Sequence, residues 1–144
     1  MTSPPTVGLL LFLPYRAMEA RVLAALAEAG FDDVTLAQAR VFQRIGPNGT
    51  RLTDLAEQAQ VTKQTAGFLV DQLERAGYVR RGPDPADGRA RLVRITSRGS
   101  AAQAAAAEVV AEVEAEWEKH LGSRRMGALR ETLVRLREIT DPYA

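Results

Sequence analysis

The stretch TKQTAGFLVDQLERAGYVRRGPDPADGRARLVRITSR, Thr62 to Arg98, decides the fold. Ala66, Leu69, Val70 and Leu73 recur at helical spacing, so one face of a short helix turns to a core. Thr62 suits an N-cap, and Ala76-Gly77 is a stop. Two β-like runs follow, YVRRG and RLVRIT, separated by the turn-rich PDPADGRA. Asp87-Gly88 is a favoured two-residue turn, which places Arg89 just past the tip of a hairpin. From Arg75 to Arg98 seven basic residues stand against two acidic ones, although the whole chain carries only +1. Attraction to a polyanion must therefore come from this local cluster.

Working upstream, Leu52 to Gln58 reads as a helix with Leu52, Leu55 and Ala56 inward and Asp54 and Glu57 outward. Ala59-Gln60-Val61 joins it to Thr62, and two short helices linked this closely form a helix-turn-helix. With the hairpin beside it, the arrangement is a winged helix-turn-helix. The residues left for solvent on the second helix are Thr62, Lys63, Gln64, Thr65, Gly67 and Phe68. Such residues meet base edges in the major groove. Gln64 can pair with adenine, Lys63 can reach phosphate or guanine, and Thr65 or Phe68 can touch a thymine methyl. Arg89 suits a minor groove or the phosphate backbone, and Arg80, Asp87 and Arg91 complete the candidate DNA-binding set. The plainer readings are a solvated polar helix face and an ordinary turn arginine.

Around this centre the chain reads as helical. Residues 1–6 suggest a frayed end. A helix follows from Val7 to about Ala29, closed by Gly30 and kinked or divided at Pro14. Leu9 to Leu13 form a nearly unbroken apolar block that calls for a partner chain. Thr35 should cap a second helix reaching Ile45, with Leu36, Phe42 and Ile45 inward, before the breaker GPNG. Thr96 or Ser97 opens a long helix from about Arg98 to His120, with Val109, Val110, Val113, Trp117 and Leu121 as its stripe. Gly122 stops it and Ser123 caps a last helix carrying Met126, Leu129, Leu133 and Leu136. The fold class is thus mainly α with a small β-hairpin wing, α+β overall. Residues 1–34 form an N-terminal dimerisation helix, 35–98 the winged lobe and 99–144 C-terminal dimerisation helices, in one intertwined domain.

Several chemistries are disfavoured. Without cysteine there is no disulfide, thiolate metal site or thiol switch. VGLLLFL lacks a basic flank and a cleavage site, and no stretch approaches the roughly 20 apolar residues of a membrane span, so the chain reads as cytoplasmic. Asp84 and Asp87 fail the calcium-loop spacing and suit turn formation instead. His120, the sole histidine, sits at a helix end. No phosphate-cradling loop, HExxH or nucleophile elbow is present. The sequence offers no catalytic residue, no metal site and no cofactor, and reads as a non-enzyme.

LTDLAEQAQVTKQTAGFLVDQLERAGYVRRGPDPADGRARLVRITSRG, Leu52 to Gly99, resembles the MarR family of bacterial transcriptional regulators, and the resemblance extends over essentially the whole chain. It implies a homodimer with interlocked terminal helices, each winged lobe reading one half-site of a pseudo-palindrome in double-stranded DNA. It also implies a repressor that leaves DNA when a small anionic or aromatic effector binds. Lys63, Gln64, Thr65, Gly67 and Phe68 match the family's major-groove positions, Arg89 its wing-tip arginine and Asp87 the neighbouring acid. Gly67 and Phe68 depart from the polar or basic pair commoner there. Tyr15, Arg16 and Arg40 are the candidate effector-pocket residues, with an interhelical salt bridge as the alternative role of the arginines. The rival to a DNA-binding regulator is a winged-helix protein-interaction module without DNA binding of its own.

Overall fold

A computed structural model describes residues 2–143; Met1 and Ala144, the outer ends of the expected terminal segments, lie outside the described residues. The chain divides into two compact units, one up to Ala107 and one from Glu108 onward. In chain order the elements are α1 (Val7–Glu28), α2 (Leu36–Phe42), β1 (Thr50–Arg51), α3 (Leu52–Ala59), α4 (Lys63–Arg75), β2 (Val79–Asp84), β3 (Asp87–Ile95), α5 (Ser97–Leu121) and α6 (Ser123–Thr140). Six helices and one small antiparallel sheet agree with the expected fold class. The sheet has three strands in the order β1-β3-β2 rather than a bare hairpin. β1 has only two residues, Thr50 opposite Val93 and Arg51 opposite Leu92, too few to show a period in the sequence.

The first unit is built around Tyr78, the largest fully buried side chain. Leu26, Val41, Ile45, Leu55, Leu69, Val70, Leu73, Val79, Val93 and Ala102 join it in one core. Its ring lies 6.1 Å from that of Phe31 and 6.5 Å from that of Phe42. The Arg98 guanidinium sits 4.6 Å from the Tyr78 ring centre, and the Tyr78 hydroxyl donates to Asp33. Burial first, and then the Asp33 bond, push the phenol up to about 12, so it stays a neutral donor.

Helix ends show how local chemistry sets this frame. After α1, Gly30 takes φ 96°, its N–H reaches Ala27 O and Phe31 N–H reaches Leu26 O. After α4, Gly77 at φ 86° does the same, with Tyr78 N–H on Leu73 O. Both closures deliver an aromatic residue straight into the core. Thr96 caps α5, accepting from Gly99 N–H at 3.1 Å and donating to Gly77 O at 2.5 Å.

Four expectations are corrected. α1 is one helix through Pro14, so no separate short piece precedes it. The missing N–H costs one helical bond on an exposed face, where water can serve the freed carbonyl. α2 ends at Phe42, and Ile45 reaches the core through tighter turns instead. Gln38 and Val41, not Leu36, face inward on α2: the Thr35–Gln38 capping box sets the rotation, and Gln38 Nε2 donates to Gln72 at 2.9 Å. Ser123 does not cap α6; Gly122 at φ 88° holds that position with no side-chain bond.

The second unit holds the rest of α5 and α6, joined by Arg130 Nη2 to Glu114 at 3.1 Å. No residue of α6 is buried; Leu133, Val134 and Ile139 stand exposed. In the first unit Leu9 to Leu13 are likewise exposed all round α1.

Candidate nucleic-acid interface

α3 and α4 are joined by a turn that closes on Gln60, the one non-glycine residue at positive φ (58°) among the described residues. Its N–H bonds Glu57 O, Val61 N–H bonds Ala56 O, and its side-chain amide donates to Glu57 O at 2.6 Å. The next residues open α4: Thr62 accepts Thr65 N–H at 3.0 Å and donates to the Thr65 hydroxyl at 2.9 Å. Ala66, Leu69, Val70 and Leu73 are buried, which fixes the rotation of α4. Thr62, Lys63, Gln64, Thr65 and Phe68 are exposed on what remains, and Gly67 is half-buried. Phe68 is 58% exposed, an apolar ring held in solvent. A Cβ at Gly67 would meet Leu52 Cδ2 at an ordinary 3.8 Å, so core packing does not demand glycine there.

The wing turns earlier than Asp87-Gly88. Asp84 pairs with Asp87, leaving Pro85-Ala86 as the loop. Asp84 is buried; it accepts Ala86 N–H at 2.9 Å and Arg51 Nη2 at 2.8 Å. Ala86 N–H and then Arg51 hold its carboxyl below the ordinary range, so it is ionised at neutral pH. Proline presets φ for the first loop position, and neither Asp87 nor Gly88 lies at positive φ. Pairing slips between Pro83, opposite Arg91, and Asp84, opposite Asp87. Gly88, Arg89 and Ala90 therefore bulge from β3, with Arg89 N–H on Asp87 Oδ1 at 3.1 Å. The bulge, not a turn tip, presents Arg89.

Charge pairing divides the arginines into two groups. Arg81 contacts Asp71 at 2.8 Å and Glu74 at 3.1 Å, tying β2 to α4. Arg51 holds Asp84, and Arg98 contacts Asp33 at 3.4 Å. Arg80, Arg89 and Arg91 are exposed, and among the described residues no carboxylate lies within ion-pair distance of them or of Lys63. Charge counting along the sequence missed this division; the acids of α4, seven and ten residues before Arg81, were the only signal for it.

The candidate effector residues lie elsewhere. Arg40 donates to Glu19 at 2.9 and 3.1 Å, and the Tyr15 hydroxyl accepts from Gln43 at 3.3 Å. Arg40 is the main reason the Glu19 carboxyl sits below its ordinary range. Arg16 lies instead over the Phe12 ring of its own helix, 5.6 Å from its centre. Among the described residues no group of three acids or histidines could hold a metal, and no helix is long and apolar enough to cross a membrane.

Comparison with known proteins gives the following. The model of the MarR family matches residues 32–90. The transcriptional regulator HosA of Escherichia coli O111:H- is 36% identical over 86 residues, covering 59% of this chain and 64% of HosA, just under two thirds of its length. The HTH-type transcriptional regulator FarR of Neisseria gonorrhoeae is 31% identical over 110 residues, 76% of this chain and 75% of FarR. A Mycobacterium tuberculosis MarR family protein, Rv2887, solved in complex with salicylic acid, superposes with a TM-score of 0.67 at 27% identity, covering 94% of this chain and 99% of that one.

Proposed function

The chain belongs to the MarR family, and on that premise we propose that it is a homodimeric, sequence-specific DNA-binding regulator, a cytoplasmic repressor released from a pseudo-palindromic operator by a small ligand. The observation that carries this reading is the capped tip of α4, polar and open, on the same lobe as a bulged wing whose Arg89 and Arg91 have no carboxylate partner among the described residues. Lys63, Gln64, Thr65 and Phe68 read the major groove, Gly67 lets the backbone approach, and Arg80, Arg89 and Arg91 hold phosphates or the minor groove. Thr62 and Asp87 set the geometry of the two readers. The exposed apolar side chains of α1 and of α6 are surface for a second copy to cover. Dimer symmetry then spaces two α4 helices about one turn of DNA apart, roughly 34–36 Å.

The salicylic acid of the M. tuberculosis protein supports an anionic or aromatic effector. Around Tyr15, Arg16 and Arg40 such a carboxylate would have to exchange with Glu19 for the Arg40 guanidinium. Selection of bound fragments from random duplexes tests the reading as a whole. A pseudo-palindrome is the expected product; a lone half-site argues against the dimer, and no enrichment points to a protein-interaction module.

A further inference from the structure

On the face of the sheet turned away from Arg81 and α4, Arg80, which the DNA reading also uses, is joined by Arg94, which that reading leaves unused. Arg80 and Arg94 stand directly opposite each other across β2 and β3. Like charges so placed repel. No carboxylate among the described residues lies within ion-pair distance of either. Asp84, whose field reaches Arg94, is already held by Arg51 and Ala86 N–H. The two arginines line a cleft of about 520 Å³ together with Ser100 and Gln103 of α5 and Ile45 and Pro47 from the segment after α2. Gly49 lies close against the Arg94 stem: a Cβ there would come within 3.0 Å of Arg94 Cγ and 3.3 Å of the Val93 carbonyl oxygen.

We propose that this cleft binds a small organic oxyanion, with its charged group between Arg80 and Arg94. Two guanidiniums supply forked donors, which suit a carboxylate or a phosphate ester. The Ser100 hydroxyl and Gln103 amide add neutral hydrogen-bonding groups, and Ile45 and Pro47 give an apolar wall for the body of the ligand. The volume falls within the range of small-molecule sites. The oxyanion relieves the Arg80–Arg94 repulsion that the fold otherwise carries. A phosphate of the DNA backbone has the same chemistry, and the two sources are separated by experiment. The site is distinct from Tyr15, Arg16 and Arg40, and it does not rest on the DNA-binding reading, since binding is measured on the protein alone.

The test is a titration of the full-length chain with benzoate, and separately with inorganic phosphate, followed by NMR of the arginine Nε–Hε signals. Saturable shifts of Arg80 and Arg94 are expected, with affinity reduced ~10-fold or more in Arg94→Gln through loss of a charged donor. Arg91→Gln, outside the cleft, should keep the binding. Arg80→Gln, at an exposed position, should show the same loss and serves if Arg94→Gln does not fold. In a parallel DNA titration Arg94→Gln should match the parent. Shifts that never saturate, or that spread evenly over all exposed arginines, overturn the proposal. So does an Arg94→Gln variant that weakens duplex binding while neither probe binds, which would assign the cleft to a DNA phosphate.

Discussion

Gly99→Ala should abolish or severely impair folding of the winged lobe. A Cβ at Gly99 would overlap the Tyr78 carbonyl oxygen and lie 2.7 Å from Ile95 Cγ2 and 3.3 Å from Phe42 Cε2. The first of these is backbone, fixed by Thr96 N–H bonding Tyr78 O at 3.1 Å, so it cannot swing aside. Relief requires the start of α5 to lift from the sheet, and that start is held by Thr96 bridging Gly77 O and Gly99 N–H. Overpacking a core commonly costs about 1–3 kcal/mol, and a clash with fixed backbone belongs at or above the top of that range. Against a total of ~5–15 kcal/mol this is a large fraction. Denaturant unfolding followed by circular dichroism reads the loss. Gly82→Ala is the control, since a Cβ there meets nothing within 4 Å. Equal midpoints for Gly99→Ala and the parent would contradict the docking of α5 described above.

Arg89→Ala should weaken DNA binding by ~10- to 100-fold while leaving the unfolding midpoint unchanged, as expected for a charge-assisted contact made only in the complex. The side chain is exposed, and among the described residues nothing pairs with it, so its removal costs the free protein little. Each phosphate contact contributes about 0.9 to the slope of log affinity against log salt, and the variant should be shallower by that amount if Arg89 meets a phosphate. Arg81→Ala should behave in the opposite way. Its guanidinium joins Asp71, Glu74 and Gly67 O, so the change loosens β2 from α4 and appears first as lost stability. Unaltered affinity for Arg89→Ala, measured by titration of a labelled duplex at moderate salt, would remove the wing from the interface.

These two cases show which features were legible in the sequence. The buried face of α4 was readable because Ala66, Leu69, Val70 and Leu73 repeat over a few turns and nothing distant overrides them. Thr62, Gly30 and Gly77 were readable for the same reason: caps depend on neighbours three or four residues away. The wing turn was not. Asp87-Gly88 is the stronger local signal, but Arg51, thirty-three residues upstream, captures Asp84 and favours the loop at Pro85-Ala86. β1 escaped because two residues carry no period, and Gln60 because only the geometry of the turn forces a glutamine to positive φ. The basic cluster was visible as a count. Its division into arginines that bind carboxylates and arginines that do not is a property of the folded lobe.

The most direct test of the account is an equilibrium titration of the wild-type chain against a duplex recovered by selection, repeated from low to moderate salt, with the mass of the complex recorded. Two chains per duplex are expected, with log affinity falling linearly against log salt by several units of slope. A complex whose affinity ignores salt, or one holding a single chain, would contradict the reading of α4 and the wing as one half of a symmetric DNA-binding pair.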